Sequence, residues 1–301
     1  MANAIRTIDP ATLTTPQLQA YLQFAIAPRP ICFASTINKE GQVNLSPFSF
    51  FNLFSTRPPI CIFSPSRRVR DNTTKHSLHN VQQVPEVVIN IVNYAMVRQT
   101  SLASTDYPEG VNEFEKTGFT MEASQLVRPP RVREAPVQLE CRVTEIKELG
   151  TQPGAGNLVF AEVIMIHIQE EILDTNGMID QMKIDLVARL GANWYSRVTP
   201  ESLFEVEKPL RTMGIGVDAL PAVARHSTVL TGNDLGLLGN AANLPTPEML
   251  QKVREDPEIK FIFSQTNENE RSLIRVQLHR LVKRMLDEGK TDTALAILWL
   301  E

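Results

Sequence analysis

Short apolar runs separated by Pro, Gly, Asn and Ser fill the first two thirds of the chain, and they predict strands. The predicted strands lie at 31–36, 43–45, 48–54, 60–64, 87–92, 137–149 and 158–168. Only three short helices are predicted between them, at 71–81, 96–103 and 111–116. Because helices this few cannot supply a crossover for every strand, the pattern predicts a mainly β fold in which an antiparallel sheet closes into a barrel.

Helical periodicity replaces this pattern from about Lys208. Thr246 followed by Pro247 is typical of an N-cap and a first helical residue, and this helix is predicted to end near Glu255. The next helix carries apolar residues at helical spacing, namely Ile274, Leu278, Leu281, Val282 and Met285. The polar side chains that fall largely on its other faces are Arg271, Arg275, His279 and Lys283.

Gly289 is predicted to end this amphipathic helix, and 294–300 is predicted to form the last one. The chain is therefore expected to have two domains, a barrel at 1–207 and a C-terminal α-helical extension at 208–301. Since isolated helices of this length are marginal in water, the extension is expected to dock on the barrel or on a partner subunit.

Composition is that of an ordinary globular protein, with 43% hydrophobic and 21% charged residues. The formal net charge of -4 argues against a general nucleic-acid binder. No apolar run approaches the roughly 18 residues of a membrane helix, and the first residues lack the layout of a signal peptide. We expect a cytoplasmic protein with no nucleic-acid or membrane partner.

Cysteine and histidine positions predict neither disulfides nor a metal site. Cys32, Cys61 and Cys141 are far apart and form no C-x-x-C pair or zinc pattern, so reduced thiols are expected. Cys141 lies where apolar and polar residues alternate, which favours a buried strand cysteine over the alternative of a redox thiol. His76 and His79 are the only close histidine pair, and no metal is predicted.

Cations and hydroxyls are concentrated at 67–77, beside a predicted helix start. The cations are Arg67, Arg68, Arg70 and Lys75. Backbone N–H groups and the helix dipole also favour an anion at such a place. The segment is therefore interpreted as a phosphate-binding loop, with a solvated basic loop as the alternative.

Several short segments follow one another in a distinctive order along the first 205 residues. They are 29–36, which opens with Arg29-Pro30, then 43–52, 58–59, 75–78, 87–90, 107–114, 129–132, 139–141 and 188–191. This ordered series resembles the flavin reductase-like family over about residues 20–205. The resemblance implies an FMN-binding split β-barrel with antiparallel Greek-key topology, and a homodimer with the flavin near the subunit interface.

FMN needs donors for its phosphate, hydrogen bonds for its pyrimidine edge and an apolar wall for its ring. Lys75 and Ser77 stand where the family has a lysine and a threonine, and serine keeps the hydroxyl. The predicted cofactor-binding residues are Ser35, Thr36, Asn44, Ser46, Ser49, Phe50, Asn52, Arg70, Thr74, Lys75, Ser77 and Arg189. Arg189 either completes the site together with Trp194 and Tyr195 or takes part in ordinary packing.

No catalytic residue is predicted, because in a flavin enzyme the reacting atom belongs to the cofactor. The resemblance implies NAD(P)H-dependent reduction of flavin or ferric iron, with NAD(P)H as the electron donor and an oxygenase as a possible recipient of reduced flavin. Two alternatives remain open. One is an electron-carrier flavoprotein that receives electrons from another protein, and the other is a non-enzymatic FMN-binding module that recruits a partner through the helical extension.

Overall fold

The structure is a computed structural model that describes residues 4–206, 208–209, 213–264 and 271–300. The chain divides into two compact units, Met1–Phe204 and Glu205–Glu301. Each unit has a hydrophobic core of its own. The domain boundary predicted between 207 and 208 stays a prediction, because residue 207 lies outside the described residues.

An antiparallel sheet of seven strands forms most of the first unit. The strands of this unit are β1 (Cys32–Ile37), β2 (Val43–Phe48), β3 (Phe51–Thr56), β4 (Pro59–Phe63), β5 (Glu86–Ile91), β6 (Met121–Glu122), β7 (Arg131–Val132), β8 (Val137–Glu148), β9 (Asn157–Ile168), β10 (Val187–Arg189) and β11 (Tyr195–Arg197). The large sheet has the order β2-β1-β5-β8-β9-β4-β3, while β6 pairs with β7 and β10 with β11. Every pairing is antiparallel, which confirms the predicted sheet type.

Ser49 and Phe50 connect the strands that lie at opposite ends of this order, since β2 ends at Phe48 and β3 begins at Phe51. The prediction of one strand over 48–54 is wrong here, because the chain turns at these two residues. In a flat sheet, six intervals of about 4.8 Å would separate β2 from β3 by about 29 Å. Three Cα steps of about 3.8 Å span at most about 11 Å. The sheet must therefore curl until the end of β2 lies close to the start of β3, although these two strands remain the ends of the hydrogen-bonded order.

One hydrophobic core runs along a single face of this curled sheet. Its strand residues are Cys32, Ala34, Phe48, Cys61, Phe63, Val87, Ile89, Cys141, Val143, Val159 and Ala161. They recur at every second position, as side chains on one face of a strand must. Burial raises the pKa of all three thiols in this core. The expectation of a buried strand cysteine at Cys141 is therefore confirmed, and all three cysteines are free.

The helices of the first unit are α1 (Thr15–Ala25), α2 (His76–Gln83), α3 (Val97–Leu102) and α4 (Glu113–Thr117). Helix α2 packs on one face of the sheet, and α3 and α4 pack on the other. Leu78 and Val81 of α2 join the core described above. The opposite face of β1 and β2 carries a second core with Phe33 and Leu45, to which Phe114 of α4 belongs.

The predicted start of the helix at residue 71 is wrong. Asp71 accepts hydrogen bonds from the backbone N–H (3.1 Å) and the hydroxyl (2.6 Å) of Thr73, which forms a turn. Asn72 has a φ of 58°, in the left-handed region that interrupts a helix. The helix therefore begins at His76, and the cationic segment before it is a loop.

The second unit is helical in its described residues. Its helices are α5 (Ala222–Arg225), α6 (Gly232–Gly239), α7 (Pro247–Glu255), α8 (Pro257–Ser264), α9 (Arg271–Asp287) and α10 (Thr291–Leu298). The sequence pattern predicts α7, α9 and α10 but misses the other three. Thr246 is the N-cap of α7, and its hydroxyl accepts the backbone N–H of Met249 at 3.3 Å. None of the described helices is long and apolar enough to cross a membrane.

The amphipathic pattern of α9 is confirmed except at one position. Leu278, Leu281 and Val282 are buried in a core that also contains Leu295 of α10. His279, assigned to a polar face by its position, is only 2% exposed, and its Nδ1 lies 2.7 Å from the hydroxyl of Ser227. A hydrogen bond from a residue distant in sequence thus accompanies the burial of this polar ring, which helical spacing alone does not reveal.

Glu140 on β8 is a fully buried carboxylate that ties a loop to the barrel wall. Its two oxygens accept the backbone N–H groups of Gln125 (2.7 Å) and Leu126 (2.6 Å), and Nε2 of His167 lies 2.7 Å from Oε1. Burial acts to raise the pKa of Glu140, but these donors outweigh it and the pKa lies below its ordinary value. Ionised Glu140 therefore stabilises the fold.

Glu140→Gln is expected to lower the free energy of unfolding at pH 7 by about 1 to 3 kcal/mol, because buried N–H donors lose a charged acceptor. The lowered pKa means that the carboxylate stabilises the fold above about pH 4.3, and that this contribution is lost as pH falls through the folded pKa. Urea unfolding across this range should show the difference from wild type narrowing with acid. Glu145→Gln, an exposed position on the same strand, is the control. A difference that persists unchanged in acid would contradict the assignment.

Candidate functional site

A polar pocket lies at the N-terminal end of α2. Its lining residues are Asn44, Ser46, Arg68, Lys75, His76, Ser77, Ala103, Ser104, Thr105, Asp106, Tyr107 and Glu113. Lys75 is the N-cap residue of α2, and its side chain makes no capping hydrogen bond with the described residues. The first N–H groups of a helix lack intrahelical acceptors, so this end of α2 offers donors and a positive dipole to the pocket.

Buried polar side chains from three elements form one wall of this pocket. The Ser77 hydroxyl donates to Asn44 Oδ1 at 2.8 Å, and Asn44 Nδ2 donates to Glu113 Oε1 at 2.7 Å. The other carboxylate oxygen of Glu113 accepts the backbone N–H of Leu45 at 2.9 Å. Because each group is held by a neighbour, β2, α2 and α4 are fixed relative to one another at this wall.

In the loop before α2, Arg67 makes hydrogen bonds within the loop, whereas Arg68 faces the pocket. Arg67 is used within the loop, since its Nε and Nη2 donate to the side chain and carbonyl oxygens of Asn72 at 2.8 and 2.7 Å. Arg68 Nη1 donates to the Thr73 hydroxyl (3.0 Å) and to the carbonyl oxygen of Thr74 (2.5 Å). These bonds aim the Nε edge of Arg68 at the pocket, where only 14% of the side chain is exposed.

Asp106 is the carboxylate that the cations share. Its oxygens lie 3.1 Å from Arg68 Nε, 3.2 Å from Arg70 Nη2 and 3.3 Å from Lys75 Nζ. Burial acts to raise its pKa, but the hydrogen bond from Arg68 and the charge of Lys75 outweigh that effect and the pKa lies below its ordinary value. Arg68, Arg70 and Lys75 therefore share Asp106 as a counterion at the pocket.

An apolar groove of about 300 Å³ lies between α1 and the β2–β3 turn. Phe50 lines it with 42% of its surface exposed, opposite apolar residues of α1. The buried guanidinium of Arg29 donates to the carbonyl oxygens of Gln23 (2.6 Å) and Ile26 (2.5 Å) at the C-terminal end of α1, and to Leu190 O (2.9 Å). A cation is stabilised at a helix C-terminus, so Arg29 fixes α1 as one wall of the groove.

The pocket and the groove are joined by a short stretch of backbone. Ser46 lines the pocket and Phe50 lines the groove, and the two are four residues apart. Their Cα atoms are therefore within about 14 Å of each other. A ligand with a charged group at one end and a flat apolar ring at the other can contact both.

Ser35 and Thr36 are fully buried and do not line the pocket. The Thr36 hydroxyl accepts Asn80 Nδ2 at 3.1 Å. The Ser35 hydroxyl has no hydrogen-bond partner among the described residues. Both positions support the wall of the pocket from β1, and direct contact with a cofactor stays a prediction for each of them.

The remaining predicted residues are spread around the two cavities. Asn52 is exposed on β3, where its Oδ1 accepts the backbone N–H of Leu53 at 2.8 Å. Ser49 is half-buried at the β2–β3 turn. The hydroxyl of Thr74 is hydrogen-bonded to the ring of His79. The structure does not bring these three side chains into the lining of the pocket, and their cofactor contacts stay predictions.

Arg189 lies away from the polar pocket, in the β10–β11 hairpin. Its guanidinium stacks 4.6 Å from the ring centroid of Tyr195, and Nη1 donates to the carbonyl oxygen of Trp194 at 3.1 Å. Its backbone pairs with that of Arg29, next to the apolar groove. These contacts are ordinary hairpin packing, and a role toward a cofactor stays a prediction.

Two carboxylates at the pocket are absent from the residues that the sequence predicts. Glu113 lies in the segment 107–114 that carries the family resemblance, so that segment is a signal from which it could be found. Asp106 lies in a loop outside any periodic pattern, and nothing in the sequence indicates its ion pairs. Within the described residues, no group of three or more His, Cys, Asp or Glu side chains is arranged to hold a metal ion.

Residues 24–183 match the family model of the flavin reductase like domain, which is more than half of the chain. The chain belongs to the flavin reductase-like family. An uncharacterized protein of Aquifex aeolicus is 35% identical over 181 residues, which is 60% of this chain and 90% of that protein.

The structure of the chain is similar to two solved structures. Nitrilotriacetate monooxygenase component B from Bacillus cereus has 26% sequence identity and a TM-score of 0.64, with 68% of this chain and 100% of that chain covered. The 2-nitrobenzoate 2-nitroreductase of Pseudomonas fluorescens has 25% identity and a TM-score of 0.60, with 69% and 100% covered.

The flavin reductase-like protein therefore has a split β-barrel, and the predicted fold class is confirmed. Family membership supports a flavin cofactor and an oxidoreductase function. The matched region ends at residue 183, so the helical unit from Glu205 lies outside it.

Proposed function

We propose that the protein is an oxidoreductase that binds FMN in its first unit, with the phosphate in the polar pocket and the ring beside the apolar groove. The observation that carries this proposal is the convergence of Arg68, Lys75 and Ser77 at the start of α2. Cations, a hydroxyl and helix N–H groups together suit a phosphate monoester. FMN carries one such group.

Each part of the site has a distinct task in this proposal. The side chains of Arg68 and Lys75 are 14% and 29% exposed, so their attraction for phosphate is screened less than at an open surface. Asn44 and Glu113 hold the wall that supports Ser77. Phe50 offers a flat apolar surface to the ring, and α1 keeps water away from that side. When bound, FMN supplies the redox chemistry by taking electrons from a donor and passing them to an acceptor.

We further propose NAD(P)H as the electron donor, with flavin or ferric iron as the species that is reduced. Similarity to a monooxygenase component B supports a role in which reduced flavin passes to an oxygenase. An electron carrier that takes electrons from another protein is the alternative that the same site would also serve.

Anaerobic mixing of the FMN-loaded protein with NADH or NADPH tests the donor. The flavin absorbance near its visible maximum is expected to bleach with at least one nicotinamide, because the proposed site leaves the ring accessible beside the groove. Dithionite serves as the positive control for reduction. Bleaching by dithionite but by neither nicotinamide would reject NAD(P)H dependence and favour the electron carrier.

Lys75→Met is expected to weaken FMN binding by about ten- to a hundredfold, since a charge-assisted hydrogen bond is worth roughly 1.5 to 3 kcal/mol. Riboflavin lacks the phosphate, so its affinity should be nearly unchanged. Isothermal titration of both flavins at fixed ionic strength measures the difference. Lys39→Met is the matched control, because Lys39 lies beside Gln83 at the other end of α2. Equal losses for both flavins would remove Lys75 from the phosphate site.

We also propose that the protein is a homodimer that uses the edge strand β3. A register shift between Leu53 and Ser55 leaves both Leu53 and Phe54 outward, with 58% and 65% exposed. Apolar side chains on an edge strand favour pairing with another chain.

Phe54→Asp is expected to yield monomers in multi-angle light scattering, whereas Phe261→Asp, at a 61% exposed position of the second unit, should remain dimeric. A wild-type monomer that binds FMN would contradict this proposal.

A further inference from the structure

The ion pairs of Asp106 occupy the donors that a phosphate would use. Arg68 Nε and Lys75 Nζ both contact the same oxygen, Oδ1, at 3.1 and 3.3 Å, while Arg70 Nη2 contacts Oδ2 at 3.2 Å. Arg68 cannot readily turn another edge to the pocket, because its Nη1 is held by Thr73 and Thr74. A ligand anion and Asp106 therefore compete for the same donors.

The other carboxylates near the cluster make no ion pair with Arg68 or Lys75 within the described residues. Both oxygens of Glu113 accept hydrogen bonds, from Asn44 and from the backbone of Leu45. Asp71 pairs with Arg70 at 3.0 Å and caps the turn at Thr73. Asp106 differs because its contacts are made to the cations that line the pocket, from a loop residue with 37% of its side chain exposed.

We propose that Asp106 is a tethered competitor of the ligand's phosphate, which holds the donors of Arg68 and Lys75 in the free protein and leaves them when a phosphate monoester binds. This inference rests on the proposed function. The exchange is favourable because a phosphate monoester carries about -1.5 to -2 at pH 7, against -1 for the carboxylate. The exchange also lowers the affinity of the pocket for the phosphate monoester, because the ion pairs of Asp106 must be broken before the ligand binds. Asp106 thereby makes the flavin an exchangeable ligand.

Asp106→Asn tests this competition while preserving the shape of the side chain and one acceptor oxygen. FMN is expected to bind about tenfold more tightly to the variant, the size of one charge-assisted hydrogen bond, and to dissociate more slowly. Riboflavin affinity should change less than twofold. Glu109→Gln is the matched control, since it removes a charge from an exposed residue of the same loop that forms no ion pair within the described part of the chain. Unchanged or weaker FMN binding by Asp106→Asn would overturn the inference and leave FMN binding itself intact.

Inorganic phosphate separates this inference from the proposed function. If wild type binds no FMN, the proposed function fails, yet phosphate still probes the cation cluster. Thermal unfolding in increasing phosphate, with ionic strength held constant by chloride, should show greater stabilisation of Asp106→Asn than of wild type or Glu109→Gln. Equal stabilisation of the three proteins would overturn the inference.

Hydrogen exchange of the wild-type protein gives a test that needs no variant to fold. FMN is expected to accelerate amide exchange in the loop 104–110, because Asp106 loses its three ion pairs when the phosphate enters. Riboflavin should leave exchange in that loop unchanged. Slower exchange in the loop on FMN binding would show that Asp106 keeps its contacts, and would overturn the inference.

Discussion

The two-residue connection between β2 and β3 is the constraint on which the rest of the first unit depends. It forces seven strands to curl, because two edge strands cannot be far apart when Ser49 and Phe50 alone join them. The same connection carries the chain from the polar wall at Ser46 to the apolar wall at Phe50. Barrel closure and the spacing of the two cavities are consequences of a single short link.

Three cations lie close together at the polar pocket. The chain carries a formal net charge of -4, yet Arg68, Arg70 and Lys75 gather around one pocket. Partial burial of Arg68 and Lys75 limits the screening of their charges. It also explains why an internal carboxylate lies there: three cations held together without a counterion would repel one another, and Asp106 relieves that repulsion until another anion arrives.

The strands and the position of the cation cluster were predictable because both are local properties of the sequence. Alternation marks a strand from its own residues, and the cluster lies within eleven consecutive positions, 67–77. The helix α1 is missing from the predicted elements although Leu18, Tyr21, Leu22 and Ala25 recur at helical spacing, so this local pattern also indicates a helix. The partners of Lys75 and Ser77 have no such local signal. Asp106 and Asn44 are about thirty positions away in sequence, and only the fold brings them together.

Burial of a polar group by a distant partner is also missing from the local sequence pattern. Ser35 and Thr36 are hydroxyls at a predicted strand end, and the structure buries both, with Asn80 of α2 donating to the Thr36 hydroxyl. His279 looks solvated from its position on α9, but Ser227 satisfies its ring nitrogen inside the core. In each case the contact comes from an element distant in sequence, so a local sequence pattern cannot predict it.

Labelling of the three buried cysteines reports whether the barrel has opened. They belong to β1, β4 and β8, and burial raises the pKa of each thiol, so the folded barrel presents almost no thiolate to solvent. Opening of the barrel exposes all of them together and returns them to ordinary reactivity. When a small electrophile is concentrated enough to react before the strands close again, alkylation proceeds at the rate at which the strands separate, and the extent of labelling counts the molecules that have opened.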